Sequence, residues 1–123
     1  MNNTIQNFQI PVSDFERALE FYNTLMGYKL QTMEYQGAKL GIFRCELSGG
    51  VGGNIIKSEG LIPSSKGTIV YLHTGKDLNP FLTRMALAGG KTIFQKTPLG
   101  PDMGFFAIFK DTEGNHVGLY SKN

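Results

Sequence analysis

Apolar residues recur three or four positions apart in the segment that follows Val12, which is the spacing of an amphipathic helix. Ser13 and Glu16 stand three residues apart, as the two members of a capping box do, and Gly27 supplies a C-terminal stop. The pattern therefore predicts a first helix between these residues. Its apolar face holds candidates for the core: Phe15, Ala18, Leu19, Tyr22, Leu25 and Met26.

A second segment of the same kind extends from Leu78 to Ala88. We expect Asn79 to cap this helix, and Pro80 suits its first turn because the proline ring fixes φ near the helical value. Two glycines, Gly89-Gly90, then end it. The sequence thus predicts two helices separated by about half the chain.

Most of the remaining chain has the composition and alternation of strands with one apolar and one polar face. In the first strand, for example, Phe8, Ile10 and Val12 alternate with less apolar neighbours. Eight strands are predicted in this way: Ile5 to Val12, Tyr28 to Glu34, Lys39 to Glu46, Val51 to Lys57, Gly67 to His73, Thr92 to Lys96, Gly104 to Phe109 and His116 to Ser121.

The two halves of the chain match at a constant offset of 63 residues, which carries Asp14 onto Asp77 and Gly27 onto Gly90. Each half has the order strand, helix, strand, strand, strand, and repeated units of this kind usually pack about a pseudo-twofold axis. The turn-rich stretch from Glu59 to Lys66 connects the halves. We therefore predict one domain, 1–123, with a first module of about residues 1–60 and a second of about 66–123.

The predicted fold class is α+β, with two βαβββ modules forming a curved mixed sheet around a cavity and the helices on the outer face. A concave face lined by several strands is a common place for a ligand. Strand alternation puts Gly118 on the cavity side, and His73 is expected to point away from it. We expect a small organic ligand to contact four side chains: Asn7, Gln9, His116 and Tyr120.

Composition narrows the function classes. A chain of 123 residues, 41% hydrophobic and 18% charged, fits a single soluble domain. Its formal net charge of +2 comes from scattered lysines and arginines, so no basic stripe for nucleic acid is predicted. No apolar run reaches the roughly 20 residues of a membrane span, and no secretory signal pattern is evident. The single cysteine, Cys45, favours a reducing compartment, and we expect a cytoplasmic protein.

The segment FQIPVSDFERALEFYNTLMGYKL, from Phe8 to Leu30, resembles the opening module of the vicinal oxygen chelate superfamily, which contains glyoxalases, bleomycin resistance proteins and extradiol dioxygenases. The segment GFFAIFKDTEGNHVGLYS, from Gly104 to Ser121, is similar to the closing hairpin of that family, with Asp111, Gly114 and Asn115 at the turn. The resemblance covers almost the whole chain. It implies a homodimer or fused modules and, in the catalytic members, a divalent metal held by His, Glu or Gln.

The resemblance also implies metal-ligand positions, and this sequence departs from them. The first-strand position falls on Asn7, with Gln9 as an alternative two residues later. The last-strand glutamate position falls on Gly118, which offers no side chain. The fifth-strand position lies near Val70, with Thr68 as the neighbouring candidate. The fourth-strand ligand is absent, since neither a histidine nor a carboxylate occurs between Gly49 and Ser58. We therefore predict no bound metal and no cofactor.

Three classes of function follow from the resemblance. The leading hypothesis is a small-molecule-binding protein of the glyoxalase and bleomycin-resistance type that lacks the usual metal site. The alternative is an enzyme of the same superfamily, a lyase, isomerase or dioxygenase, with a divalent metal that the sequence does not place. The third class is an accessory protein that acts through its surface.

Overall fold

The computed structural model describes residues 3–45 and 50–123, and this part contains two helices and eight strands. Two residues named in the sequence analysis lie outside the described residues. They are Glu46, which ends the predicted third strand, and Gly49, which begins the stretch without a histidine or a carboxylate. In the described part, neither helix has the length and apolarity needed to cross a membrane. The elements are β1 Asn7–Pro11, α1 Phe15–Met26, β2 Gln31–Tyr35, β3 Ala38–Ile42, β4 Gly52–Lys57, β5 Tyr71–His73, α2 Asn79–Leu87, β6 Lys91–Pro98, β7 Phe105–Lys110 and β8 His116–Ser121.

Helix α1 is capped one residue later than the sequence pattern predicts. Asp14 is the N-cap, and its carboxylate accepts a hydrogen bond from the backbone N–H of Arg17 at 3.1 Å. The hydroxyl of Ser13 instead donates to Glu113 Oε1 at 3.1 Å. The predicted capping box is therefore wrong, because a carboxylate from the turn between β7 and β8 takes the Ser13 side chain. The predicted stop is confirmed, since Gly27 is the C-cap with φ of +78°.

Helix α2 has no side-chain cap, so the prediction that Asn79 caps it is wrong. Asn79 is the first helical residue, and the N-cap position belongs to Leu78. Leu78 is fully buried, which shows that this position serves core packing instead of capping. Asp77 partly compensates, because its carboxylate accepts a hydrogen bond from the backbone N–H of Asn79 at 2.9 Å.

Each half of the chain forms a four-stranded mixed sheet of the same topology. The strand orders are β1-β4-β3-β2 and β5-β8-β7-β6. In both sheets the first strand pairs in parallel with the last, and the other pairs are antiparallel. The α+β fold with two βαβββ modules is thus confirmed, with the strands divided between two sheets. One consequence matters for the site: β1 and β5 are both edge strands.

One hydrophobic core draws side chains from both modules. Ile10 of β1 lies opposite Ile55 of β4 in the first sheet, and Leu72 of β5 lies opposite Leu119 of β8 in the second. All four side chains are buried in the same cluster, together with Tyr22 of α1. Each large apolar side chain buried in this way contributes about 1.5–3 kcal/mol to folding. The packing leaves the opposite faces of the strands free to build a site.

Candidate functional site

Two adjoining cavities lie beside β5. The larger, of about 760 Å³, is lined by residues of both modules, including β1, the residues around the end of α1 and the segment that leads into β5. We call it the inter-module cavity. The smaller, of about 480 Å³, lies on the second sheet and is called the aromatic cavity. Five residues line it: Tyr71, His73, Leu99, Phe106 and Tyr120.

Tyr71 and His73 line both cavities and therefore lie between them. Their orientation follows from the strand, because Leu72 between them points into the core and is 6% exposed. Tyr71 lies opposite Gly118 of β8. A Cβ built on Gly118 would come within 2.3 Å of Tyr71 Cδ2, so the tyrosine ring rests directly on the glycine backbone. The absence of a side chain at residue 118 makes room for this ring.

The walls of the aromatic cavity are two edge-to-face ring pairs. The centroids of Tyr71 and Phe106 lie 6.3 Å apart, and those of His73 and Tyr120 lie 5.2 Å apart. Both separations are within the range in which aromatic rings attract one another. The phenol of Tyr120 donates a hydrogen bond to the backbone oxygen of Met103 at 3.2 Å, which helps to hold its ring in place.

The His73 ring is oriented by its own strand end. Its Nδ1 accepts a hydrogen bond from the backbone N–H of Gly75 at 3.0 Å. In the neutral imidazole the proton then lies on Nε2, because only one ring nitrogen is protonated. The imidazole ring of His73 lines both cavities and therefore offers one N–H donor, at Nε2, beside them.

Amide side chains stand along the first sheet at the inter-module cavity. Asn7 and Gln9 of β1 line this cavity, and Gln9 is in register with Asn54 of β4. Asn54 is only 8% exposed, and its Oδ1 is buried without a hydrogen-bond partner in the described part of the chain. Buried polar atoms in folded proteins usually have a partner. Asn7 and Gln9 therefore offer hydrogen bonds to a polar ligand group in this cavity, whereas Asn54 is outside the lining of both cavities.

Arg44 brings a positive charge to the inter-module cavity. Its guanidinium carbon lies 4.2 Å above the centre of the Tyr28 ring, and its backbone N–H donates to the Tyr28 hydroxyl at 3.1 Å. Within residues 3–45 and 50–123 the Arg44 guanidinium forms no ion pair. Neither cavity has an Asp or Glu among its described lining residues. The described side chains that line the two cavities therefore carry a net positive charge.

Three of the four predicted ligand residues reach these cavities. Asn7 and Gln9 line the inter-module cavity, and Tyr120 lines the aromatic cavity. His116 is in register with Lys110 and lies four residues before Tyr120 on β8, or about 13 Å along the strand. It is outside the lining of both cavities. Its assignment to the site stays a prediction that neither cavity supports.

The sequence missed much of the aromatic cavity. His73 was expected to point away from the cavity, and this prediction is wrong, because the ring lines both. Tyr71, Phe106 and Leu99 were not singled out as site residues. The available signal was Leu72, whose apolar side chain between Tyr71 and His73 marks the core face of β5.

The described residues do not fit the metal site that the family resemblance implies. Among them, no group of three His, Cys, Asp or Glu side chains comes close enough to hold an ion. The space beside Gly118, where the family has a glutamate, is filled by the ring of Tyr71. Asn7 and Gln9 offer amide oxygens, which are weak ligands for transition metals beside imidazole or carboxylate.

Comparison with known proteins by sequence points to one family. Residues 4–37 match the family model described as bleomycin resistance protein-like N-terminal. Over 124 aligned residues, the chain is 31% identical to a glyoxylase-like domain-containing protein of Didymella fabae. That alignment covers 94% of this chain and 91% of the fungal protein.

Solved structures with the same fold span nearly the whole chain. A glyoxalase/bleomycin resistance protein from Albidiferax ferrireducens T118 superimposes with a TM-score of 0.74 at 15% identity, over 98% of this chain and 100% of that one. TnmS3, an antibiotic binding protein from Streptomyces sp. CB03234, superimposes with a TM-score of 0.69 at 23% identity, over 100% and 99%. At these identities the likeness shows the fold alone.

Proposed function

Because the chain belongs to the vicinal oxygen chelate superfamily of glyoxalases and bleomycin resistance proteins, we propose that it binds a small organic molecule in the two adjoining cavities, without a resident metal. The observation that carries this proposal is that Tyr71 and His73 line both cavities. We call the two adjoining cavities together the cleft. The structural likeness to TnmS3, described as an antibiotic binding protein, supports it.

The lining has the composition of a small-molecule site. Ligand cavities are mostly apolar and aromatic, with a few polar groups that fix the orientation of the ligand. Here the rings of Tyr71, Phe106 and Tyr120 supply the apolar surface, while the amides of Asn7 and Gln9 supply polar contacts. The proposed ligand spans both parts of the cleft.

The metal-free part of the proposal is tested on untagged, dialysed protein. Elemental analysis is expected to find no divalent metal near one equivalent, and thermal-shift titrations with Mg, Mn, Fe(II), Ni and Zn are expected to show no saturable stabilisation. A ligand that binds only the native state raises the melting temperature by mass action, so a real site would be detected. Tight stoichiometric metal would contradict this part and favour a metal-dependent lyase, isomerase or dioxygenase.

The binding site is tested with a small-molecule library screened by thermal shift. For the compounds that stabilise the protein, Gln9→Ala is expected to weaken binding, because it removes an amide that lines the cleft. His116→Ala serves as the matched comparison and is expected to leave affinity unchanged, since His116 lies outside both linings. The opposite pattern, or no effect of either variant, would place the ligand elsewhere.

We also propose that two copies of the chain form a homodimer, as the family resemblance implies. Four large apolar side chains at β6 and the following turn are 42–60% exposed: Ile93, Phe94, Leu99 and Met103. Apolar surface of this kind is typical of protein interfaces. Sedimentation velocity is expected to give a dimer mass, with Phe94→Lys shifting it toward the monomer.

The cytoplasm stays the predicted compartment.

A further inference from the structure

We infer that the cleft selects an aromatic anion, with the aromatic rings holding the planar part of the ligand and Arg44 holding its negative group. This inference rests on the proposed function and names the ligand class for the same cleft. Two independent features carry it: the ring-lined wall of the aromatic cavity, and the Arg44 guanidinium in the inter-module cavity, which has no ion-pair partner among the described residues.

The planar half of the ligand is recognised by the second sheet. Phe106 and Tyr120 are cross-strand neighbours on β7 and β8, and Tyr71 packs edge-to-face on Phe106. Tyr71 is 47% exposed, so a large part of its ring is available to a ligand. Planar molecules gain both buried apolar area and favourable ring geometry in such a wall. A saturated ring of similar size gains the buried apolar area but not the favourable ring geometry.

The negative group is recognised by the first sheet. Arg44 is exposed, and its guanidinium stacks on Tyr28 without an ion-pair partner in the described residues. Stacking holds the guanidinium plane while its N–H groups stay available for a carboxylate, which they match in a fork. His73 adds one further N–H donor at the junction of the cavities. No carboxylate among the described lining residues opposes an anion.

Matched probes separate the two parts of the inference. Isothermal titration calorimetry is carried out with 2-naphthoate, with neutral 2-naphthamide and with cyclohexanecarboxylate, which keeps the charge but loses the aromatic ring. We expect 2-naphthoate to bind at least about tenfold more tightly than either of the others, a factor that corresponds to 1.4 kcal/mol. Raising the NaCl concentration is expected to weaken its binding and to leave 2-naphthamide unaffected.

Variants then assign the selectivity to residues. Arg44→Gln is expected to abolish the preference for 2-naphthoate over 2-naphthamide, whereas Arg44→Lys keeps part of it because the charge remains. Tyr71→Leu is expected to weaken 2-naphthoate and 2-naphthamide alike. Lys57→Gln removes an exposed cation outside both linings and is expected to change none of the affinities. Circular dichroism of each variant verifies that it is folded.

The outcomes distinguish this inference from the proposed function. Equal affinity for acid and amide, or a preference that survives Arg44→Gln, would overturn the anion assignment while leaving a small-molecule site in place. Binding of library compounds without binding of 2-naphthoate would overturn the ligand class alone. If no compound of the library binds, the proposed function itself fails.

Discussion

The ring of Tyr71 lies against the backbone of Gly118, close enough that a single added carbon on Gly118 would be 2.3 Å from the ring. The two residues are paired across β5 and β8. The glycine therefore has a structural consequence for the cleft, because it allows Tyr71, which lines both cavities, to occupy the space where the family resemblance implies a glutamate. The glycine at position 118 thus explains two features at once, the lack of a metal-binding side chain there and the position of the Tyr71 ring in the cavity wall.

Gly118→Ala is expected to displace the Tyr71 ring and disrupt the cleft while the protein stays folded. The backbone of Gly118 is in a region that alanine can adopt, so the effect comes from the contact and not from φ. Tyr71 is 47% exposed and can turn toward solvent, which limits the loss of stability. We expect altered near-UV circular dichroism and weaker binding of cleft ligands, with a small change in melting temperature.

Gly52→Ala is the matched control for this substitution. Gly52 is also a glycine within a strand, and among the described residues its added Cβ would meet only Cys45 Cβ, at the ordinary contact distance of 3.8 Å. We expect the near-UV spectrum of Gly52→Ala to match that of the unmodified protein. If Gly118→Ala also leaves spectrum and binding unchanged, Tyr71 does not need the space above residue 118.

The limits of sequence-based prediction are clearest in β5. The 63-residue offset aligns the two helices well, but it carries Ile10 onto His73 and so predicts a core-facing His73. In the structure the equivalent of Ile10 is Leu72. Both are buried, and Ile10 pairs with Ile55 of β4 just as Leu72 pairs with Leu119 of β8. A shift of one residue turns every side chain of a strand to the other face.

Other features of the site depend on tertiary contacts that no local pattern encodes. The strands, helices and module order follow from periodicity, and strand alternation correctly separates Tyr120 from the buried Leu119. The Arg44 guanidinium is different, because its lack of an ion-pair partner among the described residues depends on which side chains the fold brings near it. The same holds for the buried amide oxygen of Asn54. Alternation also could not reveal that the two cavities stop short of His116.

Tyr22→Phe is expected to destabilise the protein by about 1.5–3 kcal/mol, the usual contribution of a hydrogen bond to a charged group. The Tyr22 phenol is fully buried and donates to Asp111 Oδ2 at 2.6 Å, which ties α1 to the end of β7. Urea denaturation measures the change. Tyr35→Phe, at a ring that is 61% exposed, is the control and is expected to change stability little.

The burial of the Tyr22 phenol and its contact with Asp111 make the stability fall at high pH. Burial, with the nearby charge of Asp111 and the hydrogen bond to it, raises the pKa of Tyr22 well above 10.0. The contribution of this raised pKa is complete below pH 10 and is lost as the pH rises through the folded-state value. Tyr22→Phe is therefore expected to flatten the decline of the unfolding free energy above pH 10. An equally steep decline in the variant would show that other groups cause it.

Glu113 ties the start of α1 to the turn between β7 and β8. Its buried carboxylate accepts hydrogen bonds from the backbone N–H of Asp14 at 2.8 Å and from Arg17 Nε at 2.8 Å. Burial alone would raise the pKa of Glu113, but bonds from Arg17, Asp14, Thr112 and Ser13 outweigh it and lower the pKa from 4.5 to about 2. The ionised form is therefore the one that the fold stabilises.

Acid is expected to weaken the protein through Glu113. Because the folded-state pKa is depressed, the stabilisation is complete above pH 4.5 and is lost as the pH falls toward 2. At 1.4 kcal/mol per pKa unit it is at most about 3 kcal/mol, and solvent screening at the half-exposed Arg17 reduces it. Glu113→Gln is expected to lose this amount at neutral pH and to approach the unmodified protein near pH 2, as measured by urea denaturation. Asp77→Asn, at the more exposed ion pair with Lys96, is the control and is expected to show a much smaller difference. A stability gap of Glu113→Gln that stays constant from pH 7 to pH 2 would mean that packing, and not the carboxylate charge, holds this junction together.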